Sequence, residues 1–221
     1  VVELAGLADM NVTDLQKALT GKRVSLSPSI GGNSESLSGS STVKDLETLL
    51  QLDYLYFTAP RRDEESYQTL ISILESQLAN RDKNPKVAFN DSIQMMTSNN
   101  SERTVIFTKK LLEKVSLDKA LEVYKARFAN PADFTFFFVG NVNPEDAAFK
   151  AQVCQWLGGL KANKKKEKVV DHQVRVPLGK QQNYFTQKME IKTASNRIQY
   201  TSYSMPYTLA NDLNMEMIGR I

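Results

Sequence analysis

Asp133-Phe-Thr-Phe-Phe-Phe-Val-Gly140, followed at once by Asn141-Val-Asn-Pro-Glu-Asp146, is the stretch whose reading decides the fold. Aromatic and β-branched residues run together from Phe134 to Val139 without Gly or Pro, and such a run reads as a strand. It is apolar on both faces, so a place in the middle of a sheet, covered on both sides, is expected. Gly140 and Asn141 break it. Asn143 is expected to cap a helix, with Pro144 in its first position and Glu145 and Asp146 at its positive end. Ala147, Ala148, Phe149, Val153, Trp156 and Leu157 then recur at helical spacing, and Gly158-Gly159 stops the run. This unit describes a fold and names no reaction.

Upstream, Val1 to about Thr20 reads as a helix, or two with a break near Asn11, and Gly21 ends it. Arg23–Ile30 and Ser34–Ser41 alternate apolar or small with polar residues around Gly31-Gly32-Asn33, the pattern of a half-buried antiparallel hairpin. Pro28 lacks a backbone donor and places the first strand at an edge or a bulge. Val43–Thr58 reads as a helix with Leu46, Leu49, Leu50, Tyr54 and Phe57 inside, ended by Pro60. Asp63 opens a second helix through Leu78, Asn84-Pro85 a third through Met95-Met96, and Ser116 a fourth from Leu117 to Phe128. Downstream, Lys161-Ala-Asn-Lys-Lys-Lys-Glu-Lys168 lacks apolar periodicity and reads as a solvated linker. Gln182–Ile191 and Arg197–Met205 alternate around the turn Thr193–Asn196, and a helix begins at Thr208. Hairpin then helix is the earlier pattern starting again.

The bulk numbers exclude more than they select. A chain of 221 residues, 41% hydrophobic, holds one large domain or one and a half smaller ones. A net charge of +3 makes no case for a polyanionic partner. The single cysteine, Cys154, excludes an internal disulfide framework and a thiolate metal cluster. No apolar run approaches the ~20 residues that span a bilayer. Val1 is not an initiator methionine and the sequence stops within a predicted helix, so the chain is expected to be a piece of a longer protein.

Several stretches, taken in order, resemble the pitrilysin/insulinase family of zinc metallopeptidases (M16). They are Leu37-Ser-Gly-Ser-Ser41, Asp45-Leu-Glu-Thr-Leu-Leu-Gln-Leu52, Tyr56-Phe-Thr-Ala-Pro-Arg61, the helix Ser66–Leu78, and Asn80-Arg-Asp-Lys-Asn-Pro85. The most specific is Arg127-Phe-Ala-Asn-Pro-Ala-Asp-Phe-Thr-Phe-Phe-Phe-Val-Gly-Asn141. The resemblance implies an α+β fold, an antiparallel sheet backed by helices, in domains that form two halves closing around an unfolded peptide. Residues 1–165 would be one such domain, lacking its N-terminal strands, and residues 166–221 the opening hairpin and helix of the next. The family's His-x-x-Glu-His motif is absent; aligned by the following elements it would fall at or before Val1. The wording resembles the metal-free C-terminal half, so zinc is expected in the parent's catalytic N-terminal half and none in this piece. The resemblance thus implies peptide substrates and the catalytic half as partners, while charge and apolar run length lead to an expectation of no nucleic acid and no membrane span. It also implies a periplasmic or envelope location if the protein is bacterial.

Candidate residues are weighed on that basis. Glu75 lies in the helix that carries a later zinc ligand in the family, but one solvated Glu falls short of the about three protein ligands a zinc site takes. His172 has neither Cys nor His beside it and reads as a loop histidine. Cys154, among Val153, Trp156 and Leu157, reads as a packed thiol. Gly31-Gly32-Asn33 has no phosphate-loop spacing, the lysine run lacks stacking aromatics, and Met95-Met96 is core filling. Arg220 is not one of the family's substrate-contacting residues. No catalytic and no metal residue is assigned. One binding candidate remains: Ser38, Gly39, Ser40 and Ser41, on a strand whose free edge can pair an extended peptide through backbone hydrogen bonds. The expected function is to enclose and orient peptides for a separate catalytic half. The alternative is an inactive peptidase-fold scaffold or interaction subunit.

Overall fold

A computed structural model describes residues 2–81, 84–163, 166–186, 194–201 and 205–219. Two compact units are present, Val1–Lys83 with Ile106–Asp171, and Asn84–Val105 with His172–Ile221. The first contains α1 (Val2–Ala5), α2 (Val12–Ala18), β1 (Val24–Ile30), β2 (Glu35–Ser41), α3 (Leu46–Thr58) and α4 (Glu64–Arg81). The second contains α5 (Pro85–Thr97). The first resumes with α6 (Lys109–Leu112), α7 (Leu117–Arg127) and α8 (Ala147–Trp156), and α9 (Leu209–Ile218) lies in the second.

Local chemistry sets most helix starts. Asn11, Ser116 and Thr208 each accept a backbone N–H from the residue three ahead, at 2.9, 3.3 and 3.2 Å. Asp63 does the same for Ser66 at 2.8 Å, at the head of α4. Asn84 accepts from Lys86 ahead of Pro85 in α5. One start differs from expectation. The cap of α8 is Asp146, which accepts from Ala148 at 2.7 Å, while Asn143 accepts from Glu145 in the preceding turn. The helix therefore begins three residues after Pro144.

The core of the first unit joins α3, α4 and α7: Leu52 and Tyr56, Tyr67, and Leu117, Leu121 and Tyr124, with Phe128 next to α7 and Val2 and Leu7 from the N-terminal segment. Val24, Leu26 and Leu37 of the hairpin pack on it. α3 is buried over Leu46, Thr48, Leu50, Leu52, Asp53 and Tyr56, a wider surface than the Leu46, Leu49, Leu50, Tyr54 and Phe57 stripe read from spacing. It meets both the hairpin and α8, so more than one of its faces is covered.

The decisive stretch departs from its reading. Pro131–Asp133 is a 3-10 turn, and Phe134–Val139 belongs to no sheet among the described residues. Alternation survives without a ladder. Phe136 and Phe138 are 36% and 38% exposed, Phe137 and Val139 83% and 99%. The inner set packs on helices: Phe134 lies 4.9 Å from Phe57 and 5.4 Å from Phe128 between ring centroids, and Phe138 lies 5.5 Å from Phe149. One face is covered rather than two. A strand needs a neighbour on its edge, and no described residue supplies one.

Two further expectations change. Cys154 is exposed, not packed. Gln182–Thr186 and Arg197–Thr201 form no strand, while residues 187–193 and 202–204 of that expected hairpin lie outside the described residues. Arg220 lies outside them too. In the second unit, no described residue of α5 or α9 is buried.

Candidate functional site

The hairpin β1–β2 pairs antiparallel, with Val24 opposite Ser41 and Ile30 opposite Glu35. Bonds beyond both ends set its parity: Thr42 N–H donates to Arg23 O at 3.2 Å and Gly31 N–H to Ser34 O at 2.8 Å. Hydrogen-bonded and non-bonded pairs alternate along an antiparallel ladder. The bonded pairs are therefore Ser25–Ser40, Ser27–Ser38 and Ser29–Ser36. The pairs Val24–Ser41, Leu26–Gly39, Pro28–Leu37 and Ile30–Glu35 turn their backbone groups to the outer edges. Pro28 sits where its missing N–H costs no ladder bond.

Side chains follow the same alternation. Ser25, Ser27, Ser29, Ser36, Ser38 and Ser40 lie on the exposed face, and the Ser25 and Ser40 hydroxyls are 3.2 Å apart. Leu26 and Leu37 face the core. Gly39 has a packing reason to lack a side chain, because a Cβ there would lie 2.3 Å from Ser25 O and 2.7 Å from a methyl of Leu26.

The two outer edges differ. Along β1 runs a groove of about 520 Å³, lined mainly by Val2, Pro28, Ile30, Val115, Val123 and Tyr124. That edge is poorly equipped to pair a strand: Pro28 has no donor, and Leu26 O already accepts from Tyr56 OH at 3.3 Å. The edge of β2 offers the N–H and C=O groups of Leu37, Gly39 and Ser41, none bonded to another described residue. Of the four residues singled out in the sequence, Gly39 and Ser41 thus present backbone groups outward, while Ser38 and Ser40 bond back to β1. Leu37, which belongs with the former pair, was missed. Strand parity would have found it had the register been known.

The hairpin is anchored at both ends. At its base, Asp45 accepts from Arg23 N–H at 3.0 Å and from Thr42 OH at 2.7 Å. Those bonds, the Arg23 amide first, hold its carboxyl below the usual range. Near the turn, the Arg127 guanidinium pairs with Glu35. Glu75 and His172 are exposed. Among the described residues no three His, Cys, Asp or Glu are grouped to hold a metal, and no helix is long and apolar enough to cross a membrane. The described residues present no donor set that fits zinc.

Residues 114–221 match the model of the Peptidase M16 inactive domain. A zinc protease PQQL-like protein of Arabidopsis thaliana is 32% identical over 117 residues, covering 52% of this chain and 12% of the relative. Two solved structures share the fold. The ferredoxin protease FusC, a mutant in complex with Arabidopsis ferredoxin, gives a TM-score of 0.64 at 18% identity. The periplasmic protease PqqL from Escherichia coli gives 0.65 at 21%. Each covers 79% of this chain and 19% of the solved one. The resemblance to M16 peptidases and the α+β fold class are borne out, and the matched model is that of an inactive domain. The chain spans less than a fifth of each relative.

Proposed function

From the match to an M16 inactive domain as premise, we propose that this chain is a wall of a peptide-enclosing chamber. It orients substrates for a zinc-bearing catalytic half of the same protein. The observation that supports this most directly is the edge of β2, with three consecutive outward-facing backbone positions, Leu37, Gly39 and Ser41. Backbone pairing along an edge reads the extended shape of a peptide rather than its sequence, which suits unfolded substrates. Small side chains around it leave a peptide room to approach. A periplasmic or envelope location, if the protein is bacterial, belongs to the same proposal, as does a domain succession with residues 166–221 opening the second domain.

Amide signals followed during titration with an unfolded peptide test it. The outward amides of Leu37, Gly39 and Ser41 should shift, and those of Ser38 and Ser40, already bonded to β1, should shift less. If no amide between Ser34 and Thr42 responds, the reading fails, and an inactive scaffold takes its place.

A further inference from the structure

Residues 161–168 carry five lysines, and Lys161, Lys166 and Lys168 are exposed, as a solvated linker requires. Two of its described residues, Asn163 and Glu167, are nevertheless tied down. The turn Asn130-Pro-Ala-Asp133 holds out two side-chain acceptors. Asn130 Oδ1 takes the N–H of Asn163 at 2.8 Å, and Asp133 Oδ1 takes the N–H of Glu167 at 2.8 Å. The acceptors are oriented by each other, since Asn130 Nδ2 donates to Asp133 Oδ2 at 2.9 Å. Arg127 completes the grip. Its two terminal nitrogens donate to the two carboxylate oxygens of Glu167 at 3.2 and 3.1 Å, while its Nε pairs with Glu35. Leu160, buried, anchors the chain on the near side.

We propose that Arg127, Asn130 and Asp133 form an ionic latch on Asn163 and Glu167, whose opening turns the linker from a docked strap into a tether. Two of its contacts are to backbone N–H groups and do not depend on the linker's sequence. The sequence-specific contact is the forked Arg127–Glu167 pair, with side chains 37% and 66% exposed. Exposed pairs gain strength from forked geometry and from networks, and salt screens them. Closed, the latch holds the chain to the Asn130–Asp133 turn at Asn163 and at Glu167. Open, neither Asn163 nor Glu167 is held to that turn. The latch does not depend on peptide binding.

Hydrogen exchange of the Asn163 amide in the whole 221-residue chain reads the latch from its far end, relative to the exposed Lys180. If the contacts open together, Glu167→Gln speeds exchange at Asn163 about threefold, although Asn163 does not touch Glu167. About 0.5 M NaCl does the same to the native chain and adds nothing to the variant. Asp133→Ala, which removes an acceptor rather than a charge pair, speeds it as well. Exchange at Asn163 unmoved by Glu167→Gln, or equally salt-sensitive in both chains, overturns the latch.

Discussion

Asp53 is the residue least at ease in its surroundings. It lies on α3 among buried neighbours, its Oδ1 has no hydrogen-bond partner, and burial pushes its carboxyl up to about 6. The sign follows from linkage. The folded chain prefers the protonated acid, so this site imposes no penalty below the unfolded value near 3.8. The penalty grows as pH rises and is complete above about 6. Asp53→Asn should therefore stabilise the protein at neutral pH by about 1–2 kcal/mol, less than the full shift because the amide is still a buried polar group. Urea denaturation at about pH 7.5 and about pH 4 checks this. The gain should vanish at the lower pH, and a gain equal at both would show that ionisation is not its source. Tyr124 shares the region: its hydroxyl donates to Tyr56 O at 3.1 Å, and burial raises it further above the usual phenol range.

Among elements, the hairpin and the Phe134–Val139 stretch show what local sequence can and cannot specify. Serine at every second position, with Leu26 and Leu37 among the residues between, announced β1 and β2 and their faces, because alternation is a property of the strand itself. Ladder parity was not legible, since it depends on which residue meets which. Gly39→Ala should cost about 1–3 kcal/mol, as the added methyl meets Ser25 O across the ladder, and thermal unfolding measures it. Phe134–Val139 was read as covered on both faces because composition reports what a segment can bury, not what is present to bury it. Its two faces should thus respond differently. Phe134→Ala, on the inner face against Phe57 and Phe128, should cost about 2–3 kcal/mol, whereas Phe137→Lys on the outer face should change stability by less than about 0.5 kcal/mol. Equal losses in chemical denaturation would place Phe137 in the core. Cys154 follows the same logic: helical spacing names a face, but only the packed neighbours decide whether it is inside.

At the scale of the whole molecule, stability should be unevenly divided. The first unit owns every buried residue described, from Val2 to Leu160, and none of the described residues of Asn84–Val105 and His172–Ile221 is buried. Hydrophobic burial is the main term opposing chain entropy, so helices without a buried face have little to hold them closed. α9 displays Leu209, Leu213, Met215, Met217 and Ile218 to solvent, an apolar set that hairpin-then-helix periodicity made legible as an element but not as an exposed one. Amide exchange followed by peptide mass should therefore separate the units. The amides of α3 and α7 should exchange only through global unfolding, and those of α5 and α9 many times faster in the same sample. Within a longer protein that covers them, α5 and α9 should slow while α3 and α7 stay as they were. Protection of α9 in the isolated chain matching that of α3 would mean that the second unit holds itself together, and that its exposed methionines and leucines are not awaiting a further layer.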